Sequence, residues 1–139
     1  MTRTILVLLA SFSMVACVTT PREGCVGARN ARQATIHYGD SELRVTPPVL
    51  NVKRTSDFTV KLNPSNARGP NGIDYANVTV TVVGKPEDEY QVNNSWIVEK
   101  SASGKNGEMY WCAPNTVDVY YYEVTVDEVG MLDPRVDVD

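Results

Sequence analysis

The strongest constraint on the fold is an alternation of apolar and polar residues that recurs along most of the chain after residue 34. From Asn77 to Val83 three valines alternate with threonines, and from Asp57 to Leu62 the apolar positions are Phe58, Val60 and Leu62. This period of two places successive side chains on opposite faces of a β-strand. No stretch after residue 17 carries an apolar stripe of three helical turns. The chain is therefore predicted to be all-β.

The same alternation predicts a series of short strands separated by turn-forming segments. The candidate strands are Thr35–Tyr38 (a short edge strand), Glu42–Thr46, Val49–Lys53, Asp57–Leu62, Asn77–Val83, Ser95–Glu99, Glu108–Cys112, Val117–Val126 and Arg135–Val138. The predicted loops and turns are Asn63–Gly72, Lys85–Glu89, Ser101–Gly107 and Val129–Pro134. One apolar and one polar face per strand favours an antiparallel two-sheet β-sandwich of about seven or eight strands.

The pair Trp111 and Cys112 stands at the end of a late predicted strand. In this respect the pattern resembles immunoglobulin-like or cupredoxin-like sandwiches. A cupredoxin copper site uses two histidines, a cysteine and a weak methionine ligand. His37 is the single histidine, far upstream of Cys112, so the chain has too few ligands for blue copper or for structural zinc. The sequence predicts a sandwich without a metal or another cofactor.

The first sixteen residues have the features of a secretory signal. Met1–Thr4 is short and carries one positive charge, and Ile5–Ala16 is apolar except for two serines. The twelve residues of this stretch are too few to cross a bilayer as a stable helix, which takes about 20 residues. They suit the apolar region of a signal that is removed after export.

The segment Met14-Val15-Ala16-Cys17 resembles the lipobox of bacterial lipoproteins. The resemblance implies that the signal 1–16 is removed and that Cys17 is acylated, which would hold the protein at a membrane surface. Val18 replaces the aspartate that retains such proteins at the inner membrane, so the resemblance implies an outer-membrane anchor facing the periplasm. The alternatives are secretion without lipid and a buried N-terminal strand. The predicted division is a signal peptide at 1–16, a lipidated tether at 17–34 and a β-sandwich at 35–139.

Two cysteines remain once Cys17 is assigned to lipid. An even pair in an oxidising compartment predicts a disulfide between Cys25 and Cys112. A loop of this length is expected to contribute roughly 4–5 kcal/mol to stability. A redox-active pair, a metal site and two free thiols are the alternatives, and no Cys-x-x-Cys spacing supports the first. The eight steps from Cys17 to Cys25 span at most ~29 Å, which would keep the domain near its membrane.

Charged and nucleophilic residues give little support to catalysis or to nucleic-acid binding. His37 and Asp40 could orient a serine, but no Gly-x-Ser-x-Gly turn is present. Two acidic clusters, Glu87–Glu89 and Asp127–Glu128, could serve calcium binding or glycoside hydrolysis, although neither has the spacing of a known loop. They read as solvated turns. The net charge of −4 disfavours binding to phosphate backbones.

Aromatic residues crowd the second half of the chain. Alternation places Trp96, Tyr120 and Tyr122 inside the sandwich, and it places Tyr121 and one of Tyr110 and Trp111 outside. Outward aromatics can anchor a protein or stack on a sugar.

The sequence therefore predicts a non-enzymatic module that holds another envelope protein through a sheet edge or an aromatic patch formed by Tyr110, Trp111 or Tyr121. Two alternatives remain open. One is a saccharide-binding lipoprotein that stacks its ligand on Trp111 and Tyr121. The other is an envelope enzyme that uses the acidic loops.

Overall fold

Ten strands form in the part of the chain that the structure, a computed structural model, describes: residues 25, 32–85, 97 and 99–139. The strands are β1 (Gln33–Tyr38), β2 (Leu43–Thr46), β3 (Val49–Val52), β4 (Asp57–Pro64), β5 (Val80–Lys85), β6 (Lys100–Ala102), β7 (Glu108–Cys112), β8 (Asp118–Val126), β9 (Gly130–Leu132) and β10 (Arg135–Val138). Two 3₁₀ turns, Pro70–Gly72 and Tyr75–Asn77, interrupt the connection from β4 to β5. None of the helices in these ranges is long and apolar enough to cross a membrane.

The strands form two sheets, which confirms the predicted all-β sandwich. The first sheet has the order β2-β1-β4-β7, and the second has the order β3-β10-β8-β5-β6, with β9 paired to β8. The expectation of purely antiparallel sheets was wrong, because β1 is parallel to β4 and β3 is parallel to β10. The predicted edge strand β1 lies inside its sheet, between β2 and β4.

The parallel pairing of β1 with β4 reflects how the chain changes sheets around β3. The chain leaves the first sheet after β2, adds β3 to the second sheet and returns to the first as β4. Pro47 and Pro48 follow β2 directly. Since proline has no amide hydrogen for a strand ladder, the pairing of β2 with β1 ends there and the chain can cross over.

The alternating residues form the core, as predicted. In β4 and β8 the apolar residues on one face are buried, whereas most of their neighbours reach the surface. These buried residues are Phe58, Val60, Leu62, Tyr120, Tyr122, Val124 and Val126. The predicted inward position of Trp96 lies outside the described residues, as do most of the predicted strand Ser95–Glu99 and the cluster Glu87–Glu89.

Three short elements differ from the prediction. Strand β5 begins at Val80, because Tyr75–Asn77 forms a 3₁₀ turn in which the Asp74 carboxylate accepts a hydrogen bond from the Ala76 amide at 3.1 Å. Strands β6 and β9 occupy positions predicted to be turns. Each has three residues, too few to show a period of two.

The predicted disulfide joins Cys25 to Cys112, with 5.3 Å between their Cα atoms. That separation lies within the range that suits a disulfide. Cys112 is the last residue of β7 and pairs with Asp57, the first residue of β4. The bridge therefore fixes the incoming chain to one end of the first sheet. The lipobox residues 14–17 lie outside the described residues.

Candidate functional site

The edges of the two sheets meet along two sides of the sandwich, which we call seams. At the β6–β7 seam an edge strand of the second sheet contacts an edge strand of the first. At the β2–β9 seam the opposite edge of the first sheet contacts the short strand that follows β8. The two seams have different side-chain chemistry, and the difference locates the candidate site.

The β6–β7 seam is covered by one long side chain. Lys100 pairs with the buried Val82, so its side chain starts on the inward face of β6. Its ammonium lies 5.3 Å from the centroid of the Trp111 ring and donates a hydrogen bond to the carbonyl of Tyr110. The Trp111 ring stacks on Phe58 at 6.0 Å and is only 5% exposed. The apolar interior is thus shielded from water at this seam.

The β2–β9 seam contains an open apolar groove of about 280 Å³. Its lining residues are Leu43, Arg44, Val45, Pro48, Leu132, Asp133 and Pro134. Strands β2 and β9 approach closely at one end, where a Cβ atom on Gly130 would lie 3.2 Å from Leu43 Cδ2. Five of the seven side chains that line the groove are apolar, so water in it is displaced favourably by an apolar group.

Fixed charges lie on both walls of the groove. On the β2 side Arg44 donates hydrogen bonds to the Glu42 carboxylate and to the Thr46 hydroxyl, each at 2.7 Å. On the other side Asp133 lies 2.7 Å from the Lys85 ammonium, which also pairs with Glu123 at 3.2 Å. Hydrogen bonds to Asp133 and Glu123 raise the pKa of Lys85 above its usual value. The groove is therefore flanked by a guanidinium on the β2 side and by a carboxylate on the other side.

The backbone of the two walls differs in its capacity to pair with another strand. Among the strands that the structure describes, β2 pairs only with β1 and ends its sheet. In an antiparallel pair, part of the amide and carbonyl groups of an edge strand point away from the partner. The opposite wall is interrupted at Asp133 and Pro134, where the Pro134 carbonyl accepts a hydrogen bond from Tyr122. Pro134 has no amide hydrogen to offer.

The three aromatic residues predicted as contacts do not share a surface. Trp111 is buried between the sheets, and Tyr110 is half-buried on the outer face of the first sheet. Tyr121 is half-buried on the outer face of the second sheet, where it pairs with Lys85 and Arg135 on its two neighbouring strands. A ligand cannot stack on Trp111 and Tyr121 together.

The surroundings of Tyr121 are rigidly ion-paired. Arg135 holds Asp137 through two hydrogen bonds of 2.7 and 2.8 Å, and this carboxylate is the main cause that raises the pKa of Arg135. The Tyr121 side chain also interacts with Arg135. Tyr121 therefore lies between two cations, each with its own carboxylate partner.

The residues considered for catalysis or metal binding are separated. The His37 ring nitrogen Nδ1 lies 2.9 Å from the Asn63 amide on the outer face of the first sheet. Asp40 lies near Tyr75, and burial and then this carboxylate raise the pKa of Tyr75. Within residues 32–85 and 99–139, together with 25 and 97, no three His, Cys, Asp or Glu side chains are arranged to hold a metal ion.

Sequence reasoning missed the groove itself. The sequence does contain a partial indication of the groove, because prolines interrupt the strands on both of its sides. These interruptions are Pro47-Pro48 after β2 and Asp133-Pro134 between β9 and β10. Each break marks a place where strand pairing stops. Their positions along the chain do not reveal that the two breaks face each other across one seam.

The comparisons with known proteins add no family to this picture. No protein-family model matches the sequence, and a search of curated proteins found no match.

Proposed function

We propose that this protein is a membrane-anchored envelope lipoprotein whose β-sandwich serves as a non-catalytic interaction module. The observation that carries the proposal is the β2–β9 groove, an apolar depression bounded by strands and by fixed charges. A shaped apolar surface with a charged rim suits the docking of another protein.

The disulfide supports a position close to the membrane. Cys25 is fixed to the end of β7, and a lipid on Cys17 would be eight residue steps away. Those steps span at most ~29 Å. A partner of this domain would therefore lie at or near the same membrane surface, which suits another envelope protein.

Metabolic labelling with palmitate tests the anchor. The wild-type chain should incorporate the label and sediment with membranes, whereas Cys17→Ser should lose the label and move to the soluble envelope fraction. Val18→Asp is the matched control, because it keeps the thiol and should keep the lipid while altering only the choice of membrane. Unchanged membrane retention of Cys17→Ser would refute the lipid anchor.

Crosslinking in the native host tests the interaction module. The anchored protein should capture one envelope protein reproducibly, identified by mass spectrometry after stringent washing. The same capture with a groove variant, Leu132→Arg, shows whether the groove contributes. If no envelope protein is enriched over an unrelated lipoprotein with the same tag, the interaction module is ruled out.

A second candidate function is saccharide binding at Tyr121, favoured by its position between Lys85 and Arg135. An aromatic ring flanked by fixed donors and acceptors suits a pyranose ring. Retention on insoluble polysaccharides should then fall in Tyr121→Ala and stay unchanged in Tyr110→Ala, the matched tyrosine on the other sheet. Equal retention of both variants would exclude this site.

A further inference from the structure

We propose that the β2–β9 groove takes an extended segment of a partner protein, which adds as a strand to the edge of β2 and alternates apolar, acidic and apolar residues. This inference rests on the proposed function, since it specifies how the interaction module recognises its partner. The steps below concern the size of the groove, the geometry of β2 and the charge of the rim.

The size of the groove suits a pair of side chains rather than a whole ligand. Its volume of about 280 Å³ lies just below the range of roughly 300–1,000 Å³ typical of pockets that enclose small-molecule ligands. The groove is also open to solvent. It would therefore cover two small aliphatic side chains, while the backbone of the ligand remains outside, on the sheet edge.

The edge of β2 provides the backbone pairing. Leu43 and Val45 pair with inward residues of β1 and face the groove, whereas Arg44 between them faces outward. An added strand keeps this alternation, because directly opposite residues of paired strands share a face. Its side chains opposite Leu43 and Val45 would enter the apolar groove, and the one between them would lie beside Arg44.

The prolines favour β2 as the wall that pairs with the docked segment, and they limit the number of residues that pair. Pro134 has no amide hydrogen, so a strand ladder on the β9–β10 wall would be interrupted at that residue. Pro47 ends the ladder on β2 after Thr46, so the docked segment pairs over the four residues of β2. Short strand addition of this kind gains affinity from backbone hydrogen bonds and specificity from alternate side chains.

The charge of the rim predicts the residue between the two apolar positions. The Arg44 side chain is 56% exposed, and its guanidinium donates to Glu42 through one nitrogen and to Thr46 through a second. A guanidinium has five donors and favours a carboxylate. A partner carboxylate in the outward position would therefore be favoured over a lysine.

Selection from a random peptide display library against the mature, disulfide-bonded protein, purified in detergent, tests this inference. Enriched peptides should alternate apolar, acidic and apolar residues. Leu132→Arg should weaken their binding at least tenfold, because it places a charge in the groove. Arg44→Glu should shift the enriched central residue from acidic to basic. Enrichment without this alternation, or a central residue indifferent to Arg44→Glu, would overturn the inference.

Met131→Arg is the matched control. Met131 precedes Leu132 on β9, is 57% exposed and pairs with Thr125 on the outer face of the second sheet. It should bind the peptides as the wild type does. If Met131→Arg and Leu132→Arg weaken binding equally, the site is not the groove. If crosslinking captures the same envelope protein with wild type and Leu132→Arg, the groove inference fails while the interaction module stands.

Discussion

The two seams of the sandwich differ in how far they shield the apolar core from water. We call the β6–β7 seam the closed seam and the β2–β9 seam the open seam. At the β6–β7 seam the Lys100 side chain lies over Trp111, which is almost fully buried at the edge of the core. At the β2–β9 seam the groove leaves Leu43 and Leu132 partly exposed between two proline breaks. A long amphipathic side chain can cover apolar surface with its stem and keep its charge in water. The open seam has its charges on the rim instead, which leaves the apolar floor accessible.

This comparison predicts which seam contributes to stability and which to recognition. The closed seam contains a buried aromatic pair and ends at the disulfide, so changes there should lower the free energy of unfolding. The open seam contains partly exposed side chains, so changes there should alter binding and leave stability nearly intact. The predictions below test that division.

Removing the disulfide should have the largest effect. The variant Cys25→Ala/Cys112→Ala releases a link between positions 87 apart in sequence, and a loop of that length stabilises by roughly 4–5 kcal/mol. Denaturant unfolding of the oxidised wild type and the double variant measures the loss. Hydrogen exchange should accelerate in β4 and β7 more than in β9, and equal acceleration in all three would contradict the division between the seams.

Truncating the buried indole of Trp111 should lower the free energy of unfolding almost as much as removing the disulfide. Trp111→Ala removes a side chain that is 5% exposed and should destabilise the fold by about 3–5 kcal/mol. The matched change at the open seam, Leu132→Ala, removes a partly exposed side chain and should cost no more than about 1 kcal/mol. Thermal unfolding of the two variants gives the comparison directly. Equal costs would show that the open seam is part of the core.

The sequence predicts the parts of the fold that depend on long alternating segments. β4 and β8 are long enough for a period of two to stand out, and their buried faces follow from it. The short strands β6 and β9 carry no such signal. The parallel pairs β1–β4 and β3–β10 depend on how the chain changes sheets, which alternation within single strands does not encode.

The candidate site was less predictable than the fold because it depends on contacts between strands that are distant in sequence. The choice between Tyr110 and Trp111 as the inward residue depends on the register of β7 against β4, where Trp111 faces Phe58. The groove depends on Leu43 and Leu132 meeting from opposite sheets. Both are long-range relations, and alternation alone leaves them open.

The Lys100 side chain, which lies over the closed seam, should contribute less to the free energy of unfolding than the Trp111 indole beneath it. Lys100→Met keeps an unbranched apolar stem but removes the charge over Trp111 and the hydrogen bond to the Tyr110 carbonyl. The lost cation–π interaction is worth about 0.5–1 kcal/mol at an exposed site. Lys105→Met, in the neighbouring turn, is the matched control and should leave the denaturation midpoint unchanged. A loss of the same size in both variants would show a general charge effect.

Removing either of two buried tyrosine hydroxyls should have the smallest effect on stability at neutral pH and a clear effect at alkaline pH. The hydroxyls of Tyr38 and Tyr122 have no hydrogen-bond partner among the described residues, so Tyr38→Phe and Tyr122→Phe should be neutral or stabilising by up to about 1 kcal/mol.

Burial raises the pKa of both phenols, most strongly that of Tyr122. The folded state then keeps protons that the unfolded chain releases near pH 10, so stability is constant below about pH 10 and falls as the pH rises beyond it. Each Phe variant should reduce that fall. Because burial raises the pKa of Tyr122 more than that of Tyr38, which pairs with Leu43 beside the open seam, spectroscopic titration should show Tyr38 ionising before Tyr122. The reverse order would show that Tyr38, beside the open seam, is the better shielded of the two phenols.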